Sequence, residues 1–171
     1  MNRVSFPRAV TTLTILTFAL AMSAWARPAK GGASASPRAE SGSAETLSSA
    51  ALIKPAELAK ILKSTTGGKP LILQIGFHML YQQAHIPGAE YAGPASDANG
   101  RKMLTDRVKS LPHNKEIVLY CGCCPWSHCP NVQPAYALLH SMGFTNVKVL
   151  FLVNNFGTDW VYKGYPTVKG N

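Results

Sequence analysis

Outside one stretch of nine residues, Cys121 to Cys129, this chain of 171 residues has no cysteine. Disulfides confined to that stretch would close only very small rings, so they cannot staple the rest of a domain. No apolar run reaches the roughly 18 residues expected of a membrane-spanning helix. Acidic residues are scarce, eight against seventeen lysines and arginines, for a net charge of +9. That excess is scattered: Arg101-Lys102 is the only adjacent basic pair, and no aromatic-basic interleaving accompanies it. The charge therefore speaks for solubility and attraction to anionic solutes, not for nucleic-acid binding. There is no Cys-x-x-Cys-His, which excludes covalent haem attachment, and no internal repeat.

The first 26 residues read as a cleaved signal peptide. Arg3 and Arg8 form a basic start, Val10 to Met22 is apolar with interspersed Thr, and Ala24-Trp25-Ala26 offers a small-residue cleavage site. The residue immediately after that site is Arg27 and not a cysteine, which argues against a lipid anchor. The expected product is exported, periplasmic or secreted, has no stable membrane anchor, and carries a charge of +7 once Arg3 and Arg8 are removed. Residues 27–50 are rich in Ala, Ser, Gly and Pro without apolar periodicity and predict a disordered linker. The folded domain is expected over 51–171.

Within it, strands and helices alternate. Ile53 starts a short strand, and Pro55 opens a helix with Leu58, Ile61 and Leu62 on one face. Leu71 to Ile75 is a strand interrupted by Gln74, and Phe77 to Gln83 a helical turn. Pro87-Gly88 marks a turn before a brief strand at Glu90-Tyr91. His85 is read as bonding the backbone of that turn. Met103, Leu104, Val108 and Leu111 mark a helix, Val147 to Val153 another strand, and Thr158 to Tyr162 a short helical piece. This order predicts an α/β layer on a mainly parallel sheet.

The stretch Ile117 to Gly143 organises the domain. Ile117 to Tyr120 is a buried strand by composition; Asn131 is an N-cap, and Val132, Ala135, Tyr136, Leu138 and Leu139 recur at helical spacing up to Gly143. Between them lies Cys121-Gly122-Cys123-Cys124-Pro125-Trp126-Ser127-His128-Cys129-Pro130.

These residues resemble the rhodanese-like domain family. The likeness rests on His85-Ile86-Pro87-Gly88-Ala89, on Ile117 to Cys121, on the helix ending at Gly143-Phe144, on Val147 to Leu150, and on Trp160 with Gly164-Tyr165-Pro166. It implies a three-layer α/β domain around a mainly parallel five-stranded sheet. It also implies that Cys121 is the nucleophile of an exported thiol-dependent sulfurtransferase or sulfane-sulfur carrier. In that chemistry Cys121 forms a persulfide from a small donor, thiosulfate or a persulfide, and passes the sulfur to a thiol acceptor or partner protein. No cofactor is expected. A cysteine facing loop N–H groups and a helix N-terminus should ionise readily, its pKa falling from about 8.5 towards roughly 3.5–7.5.

Three departures from the family pattern stand out. The loop is longer and carries no basic residue except His128, Gln74-Ile75-Gly76 replaces the common Asp-Val-Arg, and Cys123, Cys124 and Cys129 are additional. With Gly122 these form the loop and its candidate resolving thiols, while Trp126, Ser127 and His128 are candidate substrate contacts. Three other readings stay open. Cys123, Cys124 and Cys129 can hold copper or zinc, or bind a redox partner, on a non-enzymatic module. Alternatively Cys121 works with Cys124 or Cys123 as a dithiol/disulfide oxidoreductase, or Cys123 or Cys124 pairs with Cys129 in a structural disulfide.

Overall fold

In the computed structural model residues 47–170 are described. The leader expected over 1–26, and the linker as far as residue 46, lie outside them. A single 3-10 turn over Ser49–Ala51 leads into the sheet.

Five strands form one wholly parallel sheet: β1 (Leu52–Ile53), β2 (Leu71–Gln74), β3 (Ala89–Tyr91), β4 (Ile117–Tyr120) and β5 (Val147–Leu150). Their spatial order is β1-β5-β4-β2-β3, which places β4 at the centre. Every residue of β2 and β4 is buried, as parallel strands covered on both faces require. Their register sets Leu73 beside Leu119 and Gln74 beside Tyr120.

Four helices cover the sheet: α1 (Pro55–Lys63), α2 (His78–Gln83), α3 (Ala98–Val108) and α4 (Val132–Ser141). The period-two alternation of the strands divides the core. Leu71, Leu73, Ile117, Leu119 and Val149 pack with Leu104 and Val108 of α3 and Val132, Ala135 and Leu139 of α4. Ile72, Val118, Tyr120 and Leu150 point the other way, onto Leu58 of α1, Tyr81 of α2 and Trp160.

The structure shifts some element ends. Helix α3 starts at Ala98, earlier than the apolar pattern shows, because the Asp97 carboxylate accepts the Gly100 N–H at 2.7 Å and caps it. Strand β5 stops at Leu150 instead of Val153. Beyond it, the Leu152 carbonyl accepts the Trp126 N–H at 2.9 Å, so this segment ties down the cysteine loop. The piece carrying Trp160 is one π-helical turn, Gly157–Val161. His85 is buried; its Nδ1 lies 2.8 Å from the Tyr81 carbonyl, and its backbone pairs with Val168.

A thiol cluster as candidate functional site

Cys121 continues the alternation of β4. Ile117, Leu119 and Cys121 fall on the face packed by α3 and α4, so the thiol enters the core and is only 2% exposed. Gly122, at φ +96°, turns the chain; this left-handed conformation strains other residues. Two backbone bonds then hold the loop: the Phe156 N–H donates to the Gly122 carbonyl at 3.1 Å, and Trp126 is tied to Leu152. A 3-10 turn over Trp126–His128 brings the chain back, so that Cys129 is buried beside Cys121.

The loop thus gathers its sulfurs. The Sγ atoms of Cys121, Cys123 and Cys129 all lie within 4.8 Å of one another. Cys123 Sγ is 3.3 Å from Cys121 Sγ and 2.9 Å from Cys124 Sγ. All four are free thiols.

Three residues shape the surroundings of Cys121. The Asn131 side chain donates from Nδ2 to Cys121 Sγ at 3.3 Å, and its Oδ1 accepts the Ser96 N–H at 2.9 Å. Asn131 was expected to cap α4; it makes no side-chain capping bond and is fully buried, because both ends of its amide are engaged elsewhere. Gln74 donates to the Cys121 carbonyl at 2.9 Å and accepts the Gly76 N–H at 3.2 Å, which satisfies a polar side chain inside an apolar strand. A Cβ added to Gly76 would stand 2.8 Å from both the carbonyl oxygen and the Sγ of Cys121. Only glycine leaves that sulfur its place.

The electrostatics reverse the expectation of an easily ionised Cys121. Its hydrogen bond with Cys129 and its burial push the thiol well above its ordinary range. The Cys123 N–H and the Asn131 amide oppose this without overcoming it. The Cys129 contact and the hydration lost on the core side of the strand together outweigh the two donors. Burial is also the main reason that Cys123 is raised, and that Cys124 is pushed up to about 11.

A cavity of about 390 Å³ borders the cluster, lined among others by Gln74, Gln83, Tyr120, Cys121, Cys123 and Phe156. None of its lining side chains is charged. Gly122 reaches it, whereas Cys124, Trp126, Ser127, His128 and Cys129 are not part of its wall. Trp126 is half-buried with its ring centroid 6.1 Å from that of Phe151. Ser127 and His128 are exposed, Ser127 Oγ lying 2.9 Å from His128 Nδ1.

Sequence reasoning overlooked Gln74, Gly76 and Asn131 as site residues. Gln74 carried a usable signal, a polar residue in an apolar strand. Asn131 carried none beyond its position before a helix, since its partners lie 10 and 35 residues away.

Comparison with known proteins fits this architecture. The family model described as Rhodanese-like domain matches residues 55–151. The fold is similar to the crystal structure of the Alr3790 protein from Anabaena sp., with 22% identity, a TM-score of 0.52, and coverage of 69% of this chain and 92% of that one. It is likewise similar to the BH2092 protein from Bacillus halodurans, with 24% identity, a TM-score of 0.52, and coverage of 68% and 75%. No curated protein matches the chain.

Proposed function

The chain belongs to the rhodanese-like domain family, and from that premise we propose that it accepts and transfers sulfane sulfur, with Cys121 as the residue that takes it up. One observation carries this reading: Cys121 sits at the carboxyl end of the central strand, against a cavity, with its sulfur held by Asn131. Open parallel sheets bind ligands at that end.

The uncharged lining selects the donor. A thiosulfate dianion in such a cavity would lose its hydration without a cation to replace it. An organic hydropersulfide carries at most one charge, and its protonated form, R–S–SH, carries no such penalty. Cys121 Sγ attacks its outer sulfur, the S–S bond breaks, and the departing thiolate takes the Cys121 proton and leaves as R–SH. Cys121–S–SH remains. A thiol acceptor, small or on a partner protein, then removes the outer sulfur by the same exchange and restores the Cys121 thiol. Asn131 orients the attacking atom. The leader pattern of residues 1–26 supports export, so the proposed chemistry would run outside the cytoplasm, which sequencing the mature N-terminus checks.

Turnover of an organic hydropersulfide with a thiol acceptor tests the reading. Cys121→Ser should lower kcat/KM by about 1,000-fold or more, and thiosulfate should be the poorer donor. Undiminished turnover in Cys121→Ser excludes this residue as the nucleophile. A preference for thiosulfate excludes the neutral donor.

A further inference from the structure

We propose that Cys121, Cys123 and Cys129 also form a site for one cuprous ion. Three sulfur atoms mutually within 4.8 Å, with no imidazole or carboxylate in the group, make an all-sulfur donor set. Thiolate bonds of about 2.3 Å to a trigonal ion set its sulfurs about 4.0 Å apart. Cys121 and Cys123 stand at 3.3 Å, so modest side-chain rotation opens the triangle.

Soft thiolates select Cu(I) among biological cations, and the number of ligands sharpens the choice. A structural zinc site takes four ligands in a tetrahedron. The fourth sulfur, Cys124, is adjacent to Cys123 in sequence and stands outside the mutually close trio. His128 is exposed and engaged with Ser127. Cys121 and Cys129 are buried and pack with Val132 and Ala135, so their side of the trio belongs to the apolar core. A three-sulfur set with one side in the apolar core and Cys123 reaching the cavity suits a trigonal cuprous ion that can enter from that cavity.

The remaining contacts are those a metal–thiolate centre needs. Asn131 Nδ2 already donates to Cys121 Sγ, and such outer hydrogen bonds orient ligands and spread their charge. Gly76 keeps the space beside Cys121 open. Binding involves no electron transfer: the ion enters as Cu(I), each ligating thiol releases its proton to solvent, and three Cu–S bonds form. Cys121 is shared with sulfur transfer, so copper and a persulfide exclude one another there. The metal site itself does not depend on that activity.

The test is an anaerobic titration of the reduced full chain with Cu(I) against the chromophoric chelator bicinchoninate, without any sulfur donor. The expected result is one tightly held ion per chain, with three sulfurs at one distance in X-ray absorption. Cys129→Ser and Cys123→Ser should each weaken binding by more than the roughly 10–100-fold that outer partners cost, whereas Cys124→Ser should not. Near-ultraviolet circular dichroism of each metal-free variant checks its fold, and Cys129→Ala is the second variant should Cys129→Ser unfold. Complete loss of copper to the chelator, equal affinity in the folded Cys129 variant, or displacement of Cu(I) by Zn(II) overturns the proposal. Because no sulfur donor is present, failure here leaves the sulfurtransfer result standing, and the reverse is equally true.

Discussion

The two faces of the central strand are built by one rule and finished in opposite ways. Tyr120 and Cys121 are neighbours in sequence and fall on opposite sides of the sheet. On the Tyr120 side the chain closes with a run of aromatic contacts, from Tyr120 to Phe156 at 5.2 Å, Phe156 to Trp160 at 5.9 Å and Trp160 to Tyr165 at 5.1 Å between centroids. The Trp160 indole N–H donates to the Pro166 carbonyl at 2.9 Å. Burial raises the Tyr120 phenol, and its oxygen accepts the Ile86 N–H at 3.4 Å. On the Cys121 side four thiols meet, with the buried Asn131 amide donating to the Cys121 sulfur. The aromatic face is scaffold, with Tyr120 and Phe156 also walling the cavity. The thiol face keeps polarizable, reactive atoms; the bond with Cys129 and burial raise Cys121, and burial raises Cys123 and Cys124, so these three stay protonated until a partner displaces the proton.

Breaking the aromatic face should cost most. Trp160→Ala removes a fully buried indole and leaves the Pro166 carbonyl unpaired, an expected loss of about 3–5 kcal/mol, read as a lower denaturant midpoint. Its effect on the reactivity of Cys121 in the still-folded fraction should be small, which separates the faces. Next comes Gly76→Ala. The added methyl meets backbone as well as the Cys121 sulfur, so overpacking should cost about 3 kcal/mol. Unlike Trp160→Ala, it should also change the thiol labelling pattern of the folded protein. Asn131→Ala frees the Ser96 N–H and removes the donor to Cys121, for about 2 kcal/mol, with slower sulfur uptake in the folded variant.

The smallest effect belongs to neither face. Arg107 clasps Glu90 through both carboxylate oxygens, with Nη2 to Oε1 at 2.8 Å, and holds the carboxyl below its usual value of 4.5. A lowered folded pKa adds stability above the unfolded value and loses it as the pH falls through the folded one. The pair is partly exposed, so Glu90→Gln should cost only about 0.2–1 kcal/mol near neutrality. Thermal melts of the two proteins should converge in strongly acidic solution.

Much of this was legible in the chain. Ile117 to Tyr120 reads as a buried strand because parallel strands are apolar throughout, and the same logic located β2. The burial of Cys121 was not legible: Ile117, Leu119 and Cys121 share one parity, but β4 is buried on both faces, so parity alone does not tell which side the thiol takes. The loop and the helix start behind it pointed towards an ionised thiol instead, and the bond with Cys129 together with desolvation on the core side raised it. The contacts of Asn131 and Gln74 were hidden for another reason. Their partners are distant in sequence, and only the register of β2 against β4 brings Gln74 to the Cys121 carbonyl.

Site-resolved mass mapping tests the account most directly. The reduced protein is treated with an organic hydropersulfide, the remaining thiols are blocked, and each cysteine is located in its peptide fragments. One added sulfur, about 32 Da, should be found on Cys121 and be released by a thiol acceptor. Sulfur confined to the half-buried Cys123 and Cys124, with Cys121 unmodified, would contradict it.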